Sequence, residues 1–253
     1  MTCFARFRIL LAVLAVFAAS VPVTAAEGGV GNLPPSLSVI VVGFVGGFVR
    51  HNNPHQQPVL LAQRIQRDES GNAFVQVFEN RHRRTAYNTI LRLLDHNHDG
   101  VLSEQERSQA RIVLYGHSWG ASAVVLLARE LRRAGIPVML TVQVDSVAKP
   151  WQHDGVIPDN VAAAVNFYQP HGFIHGRSLI SAADESKTHI LGNYRFDYQK
   201  DPITCEGVSW FDRVFTHDHM QSQCDPHLWT QVEDLVRQRV EPEPRFAVAA
   251  PVQ

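Results

Sequence analysis

The chain is 253 residues long, 45% hydrophobic and 19% charged, with a formal net charge of −1. That balance suits one α/β domain with a sizeable buried core and excludes a disordered or collagen-like chain. The near-neutral charge also gives no reason to expect nucleic acid or an anionic membrane as a partner.

Arg6 and Arg8 precede the apolar run Ile9–Ala19, and small residues follow to Ala25-Ala26. This reads as a secretory signal peptide over residues 1–26, too short and wrongly flanked for a membrane span. The expected location is therefore exported, periplasmic or extracellular, without stable membrane insertion after cleavage. Cys3 leaves with the leader. Cys205 and Cys224 remain, and an even count in an exported chain points to one disulfide.

A polar Gly/Pro linker, Glu27–Pro35, leads into the apolar run Leu37–Val42, which reads as a central parallel strand buried on both faces. The glycine-rich stretch Gly43-Phe44-Val45-Gly46-Gly47 follows. His51 to Gln57 is a polar loop whose two histidines read as solvated. Val59–Gln66 reads as a short helix, Ala73–Phe78 as a strand and Thr85–Leu94 as a helix.

Asp95 to Glu106 then matches the twelve-residue EF-hand loop at its defining positions. Asp95, Asn97 and Asp99 place oxygens at positions one, three and five, and Gly100 permits the turn at six. Val101 offers its carbonyl at seven, Ser103 a hydroxyl or bridging water at nine, and Glu106 a bidentate carboxylate at twelve. The expected cofactor is one Ca2+ in a structural role, since no second loop is present to make the usual sensor pair. The competing reading is an acidic surface turn.

Ile112–Tyr115 is a short apolar strand, and Gly116-His117-Ser118-Trp119-Gly120 follows at once. From Ala121, apolar residues at Val124, Val125, Ala128 and Leu131 repeat at helical spacing. Strand, tight glycine turn and helix form the context a nucleophile elbow requires. Such a turn holds its central residue in a strained conformation, which demands small residues two before and two after it.

The stretch resembles the elbow of the α/β-hydrolase superfamily, secreted esterases and lipases of bacterial type in particular. The resemblance implies a doubly wound, mostly parallel sheet with helices on both faces, here of about six strands over residues 27–240, with a disordered tail at 241–253. It implies Ser118 as nucleophile. It also implies an oxyanion hole built from the N–H of Phe44 (or Val45) and that of Trp119. The acid should follow a strand, and Asp145 stands at the end of Pro137–Val144, with Asp154, Asp159 and Asp184 as competitors. Val161–Tyr168 and His189–Phe196 read as further strands, and residues 170–187 as a polar stretch near the mouth of the site. His171, His175 and His189 read as loop or surface residues. The triad histidine should lie in a loop after the last strand. Relatives show a histidine, an apolar residue, then Asp-Pro. That register selects His219, ahead of Met220 and Asp225-Pro226, over His217. Asp225 caps a final helix with Leu228, Val232, Leu235 and Val236 as its stripe.

The expected function is a secreted serine hydrolase acting on a small-molecule or lipid ester through an acyl-enzyme. Thioester or peptide cleavage by the same triad, and a non-catalytic calcium-stabilised exported protein, are the alternatives.

Overall fold

The computed structural model describes residues 39–69, 72–205 and 217–241. The leader expected over 1–26, the linker, and the tail beyond 241 lie outside the described residues.

Nearly every strand of the main sheet is apolar on both faces, which is what a parallel sheet between two helical layers requires. The strands β1 (Val39–Val45), β2 (Ala73–Glu79), β3 (Ile112–His117), β4 (Val138–Val144), β6 (Val161–Tyr168) and β8 (His189–Arg195) form one six-stranded sheet in the order β2-β1-β3-β4-β6-β8, parallel throughout. Two short strands, β5 (Val156–Ile157) and β7 (Ser181–Ala182), pair separately.

Successive residues of β1 feed opposite cores. Val39, Val41 and Val45 pack with Leu61 and Ile65 of α1 (Gln57–Asp68) and with Trp229, Val232 and Val236 of the final helix (Pro226–Val240). Ile40, Val42 and Phe44 pack instead with Ile90 of α2 (Arg83–Leu94) and with Val124, Leu127 and Leu131 of the elbow helix (Trp119–Arg133). Helices thus cover both faces, as the resemblance implies.

The predicted strands and helices are present with ends shifted by a few residues. Two differences bear on function. Gly43, Phe44 and Val45 belong to β1 and not to the loop after it. Each is paired with β2, and Gly43 and Phe44 also with β3, so neighbours on both sides draw the strand on to Val45. His219 lies not in a loop but in a helix, α5 (His217–Cys224), preceded by the short α3 (Glu104–Ser108) and the elbow helix, α4; the final helix is α6.

The chain goes from β1 outward to β2, then returns past β1 to β3. The strand order therefore reverses between β1 and β3, and the loops leaving their carboxyl ends diverge there. Open α/β sheets bind ligands at this switch point.

Candidate active site

The turn after β3 is built as its glycines require. Ser118 adopts φ 58° and ψ −127°, a conformation non-glycine residues rarely enter. A Cβ on Gly116 would lie 2.6 Å from the Gly120 backbone, and one on Gly120 would lie 2.4 Å from the carbonyl oxygen of Phe44. No side chain fits at either place. The N–H of Ser118 donates to Val144 O at 2.9 Å, which ties the turn to the end of β4.

Three distant segments then converge. His219 Nε2 is 2.9 Å from Ser118 Oγ, and its Nδ1 is 2.6 Å from Asp145 Oδ2. A carboxylate only accepts, so Nδ1 carries the ring proton and Nε2 faces the serine hydroxyl as acceptor. Asp145 is wholly buried at the end of β4 and also accepts from Gly176 N–H at 2.7 Å, Gln169 N–H at 3.2 Å and the Gln169 amide at 3.0 Å. The stretch from 169 to 176 that looked merely polar in the sequence is thus the clamp on this carboxylate.

Helix α5 turns His219 inward and leaves the His217 side chain 59% exposed, paired with Asp218 at 3.2 Å. The competing acids have other partners. Asp154 is buried against Arg177 Nε and Ser146 Oγ, both at 2.6 Å, while Asp159 pairs with Arg132 and Lys187 and Asp184 accepts from Ser186. His171 faces Asp197 at 3.2 Å.

Sequence reasoning passed over His117. Its ring stacks on that of His219 with centroids 4.8 Å apart, and its Nε2 lies 3.2 Å from Ser222 Oγ. The Ser222 hydroxyl donates to His219 O at 2.7 Å, which leaves its lone pair for His117. Burial first, and the neighbouring His219 second, push the His117 ring down to about 3, so it remains neutral beside the site.

Phe44 does not supply the oxyanion donor expected of it. Ile40 N–H donates to Arg111 O on the β3 side, and strand alternation sends the N–H of Phe44 the same way, into the ladder with β3. Val45 is likewise paired, with Glu79 of β2. The first N–H beyond the ladder is that of Gly46, which donates to no other backbone group among the described residues. Trp119, at the start of α4, keeps its N–H in the free first turn of a helix. Its ring meets Phe48 edge-on at 5.4 Å.

The loop from Asp95 to Glu106 lies before β3, at the sheet edge away from Ser118. Its first half is drawn together: Asp99 N–H donates to Asp95 Oδ1 at 3.1 Å and to Asn97 Oδ1 at 3.0 Å, and Val101 N–H donates to Asp99 Oδ1 at 2.7 Å. Glu106 is engaged elsewhere. Its carboxylate accepts from the N–H groups of His96 and Ser103, both at 2.8 Å, and from the Ser103 hydroxyl, closing a capping box at the start of α3. Those bonds, that to the Ser103 N–H foremost, hold the Glu106 carboxyl down at about 2. In this arrangement no group of three or more His, Cys, Asp or Glu side chains among the described residues gathers to hold a metal ion.

Cys205 and Cys224 are joined in a disulfide with Cα atoms 5.8 Å apart, which ties the end of α5 to the segment after β8. No described helix is long and apolar enough to cross a membrane.

No family model and no curated protein matches the chain. Among solved structures, a cutinase-like protein from Cryptococcus sp. shares 10% identity at TM-score 0.39, over 80% of this chain and 95% of the other. An acetylxylan esterase shares 10% at TM-score 0.38, over 81% and 99%. A dienelactone hydrolase from Anabaena variabilis shares 12% at TM-score 0.36, over 81% and 87%. Likeness at this level carries no weight for function, which has to come from the site.

Proposed function

We propose that the protein is a secreted serine hydrolase of α/β-hydrolase type that cleaves carboxylic esters. The observation that carries this reading is the unbroken relay from Ser118 Oγ through His219 to Asp145, on a serine held at φ 58° at the sheet's switch point.

Ser118 Oγ attacks the ester carbonyl while His219 Nε2 takes its proton. Asp145 keeps the imidazole in the required tautomer and stabilises the imidazolium. The carbonyl oxygen becomes an oxyanion that accepts from the N–H groups of Gly46 and Trp119. Collapse breaks the bond to the alcohol oxygen, which leaves with the proton from His219. Water then adds to the acyl-serine, giving a proton to His219; collapse breaks the bond to Ser118 Oγ, which takes that proton back as the acid leaves. Neutral His117 adds no positive charge against the imidazolium.

Apolar surface supports an ester with an apolar arm. Phe48 is 81% exposed beside Trp119. A hollow of about 720 Å³ between the loop after Asp145 and the loop that clamps it has a mixed wall, Val147, Pro170 and Leu179 beside Ser146, His175 and Arg177, and adds no apolar preference. A series of p-nitrophenyl esters of rising acyl length tests the reading. Wild-type turnover that Ser118→Ala removes is the expected result. A folded wild-type chain inactive on every member would sink it.

A structural Ca2+ belongs to the same reading. Asp95, Asn97, Asp99, the Val101 carbonyl, Ser103 and Glu106 would hold it, with Glu106 exchanging its capping-box hydrogen bonds for the ion. The ion has no part in the chemistry. The leader sequence and the disulfide support export.

A further inference from the structure

We propose that Asn80 and Lys149 are positioning residues that aim the Gly46 N–H at the oxyanion; the inference rests on Ser118 being the nucleophile. Asn80 opens the single 3₁₀ turn Asn80–His82 that follows β2, and it is buried. Its Nδ2 donates to the carbonyl oxygen of Gly47 at 2.6 Å and to that of Val45 at 3.4 Å. Both carbonyls flank Gly46.

Peptide planarity converts this grip into an orientation. The chain has no cis peptide bonds among its described residues, so the carbonyl of Val45 and the N–H of Gly46 point in opposite directions from one rigid plane. Drawing Val45 O toward Asn80 on the β2 side therefore drives the Gly46 N–H toward the β3 side, where Ser118 stands. The approach is close: a Cβ on Gly46 would lie 2.7 Å from Ser118 Cβ and 3.3 Å from its Oγ. Only glycine fits, and without a side chain to pack, this residue depends on outside contacts to hold its plane.

Lys149 fixes the amide itself. Its Nζ donates to Asn80 Oδ1 at 2.8 Å. An ammonium has no acceptor, so the atom facing it is the amide oxygen, and the NH2 is committed to the loop carbonyls. The same Nζ lies 4.7 Å from the ring centroid of Trp119, whose N–H is the other proposed donor. One lysine thus braces both donors, the loop through Asn80 and the elbow through the indole.

The removal of one oxyanion donor costs about 10²–10³-fold in kcat. A donor kept but left to wander should cost less, about 10–100-fold for Asn80→Ala. KM should stay within about twofold, because an oxyanion exists only after attack. Asn80→Asp keeps the size and the lysine contact but turns acceptors toward the carbonyls, and it should lose at least as much. Lys149→Met should lose less, Lys149→Arg should recover part of that loss, and the Asn80→Ala/Lys149→Met pair should lose less than the product of the two single losses, because part of the lysine's effect runs through Asn80.

Purified wild type and these variants would be compared for kcat and KM on p-nitrophenyl acetate. Affinity for an arylboronic acid, which forms a tetrahedral adduct on the serine, and circular dichroism would be measured beside them. The expected pattern is a fall in kcat matched by weaker boronate binding, at unchanged KM and spectrum. Folded Asn80→Asp and Lys149→Met proteins with wild-type kcat would overturn the proposal. So would a loss confined to KM. Should Asn80→Ala fail to fold, those two variants still decide. An inactive wild type would count against the serine hydrolase reading instead.

Discussion

The two ends of β3 carry the chain's two most specific motifs, and they are built in different ways. At the carboxyl end, Gly116 to Gly120 supplies Ser118, and Asp145 and His219 arrive from elsewhere to join it at hydrogen-bond distance. At the amino end, Asp95 to Glu106 matches a metal-binding pattern in twelve consecutive residues, yet Glu106 closes on Ser103 and His96. Backbone geometry explains the contrast. The elbow is forced by close packing between Gly120 and the end of β1, whatever the bound state. The loop is held by side-chain hydrogen bonds to its own backbone, and Glu106 satisfies itself with the N–H groups of His96 and Ser103. A turn fixed by close packing has one shape, while a loop fixed by side-chain hydrogen bonds can exchange them for another partner.

The sharpest way to break this comparison lies at the carboxyl end. His219→Ala should reduce ester turnover on the order of 10⁴-fold or more without unfolding the chain, while His217→Ala should keep most of it. Reversed phenotypes, measured as kcat/KM on one ester, would mean that α5 presents the other histidine.

Next in size is the disulfide. Cys205 and Cys224 are 19 positions apart, which corresponds to roughly 3 kcal/mol at most by loop entropy. Reduction should loosen α5 and lower activity before the sheet melts. Two titratable thiols in the native protein would contradict it.

His117 sets an effect that appears only below neutral pH. Its native value of about 3 lies below the ordinary histidine value of about 6.5, so between the two the unfolded chain binds a proton that the native one does not. Stability should therefore fall as pH drops from about 6.5 toward 3. His117→Phe, which keeps a ring against His219, should flatten that slope. An equal slope of melting temperature against pH in both proteins would show that His117 is not its source.

The smallest effect belongs to the loop proposed to bind calcium. A native-state ligand at a hundred times its dissociation constant adds about 2.7 kcal/mol. Calcium should raise the melting temperature with little change in kcat, and Glu106→Gln should abolish the rise. No shift with calcium would reduce the loop to an acidic turn. Without calcium, Glu106 should stabilise the chain above the ordinary carboxyl range and lose that contribution as pH falls toward about 2.

What the sequence disclosed follows the same division. Parallel strands buried on both faces read as apolar runs, and the elbow is legible because only glycine fits at two of its places. His219 could be selected by its spacing from the Asp225-Pro226 cap. The helix that carries it could not be read, because α5 buries Asp218, Gln221, Ser222 and Gln223 and has no apolar stripe. Phe44 looked like a loop residue because Gly43 and Gly46 around it masked three more positions of strand pairing. Asn80, Lys149, Gln169 and Gly176 act through hydrogen bonds across long sequence separations, and nothing in their local pattern marks them.

The central claim is an activated serine at position 118, and covalent labelling tests it most directly. A fluorophosphonate probe incubated with the folded wild-type protein should attach once, and peptide mapping should place it on Ser118. Labelling should vanish in Ser118→Ala and nearly vanish in His219→Ala. A folded wild-type chain that remains unlabelled, or is labelled at another residue, would contradict the account.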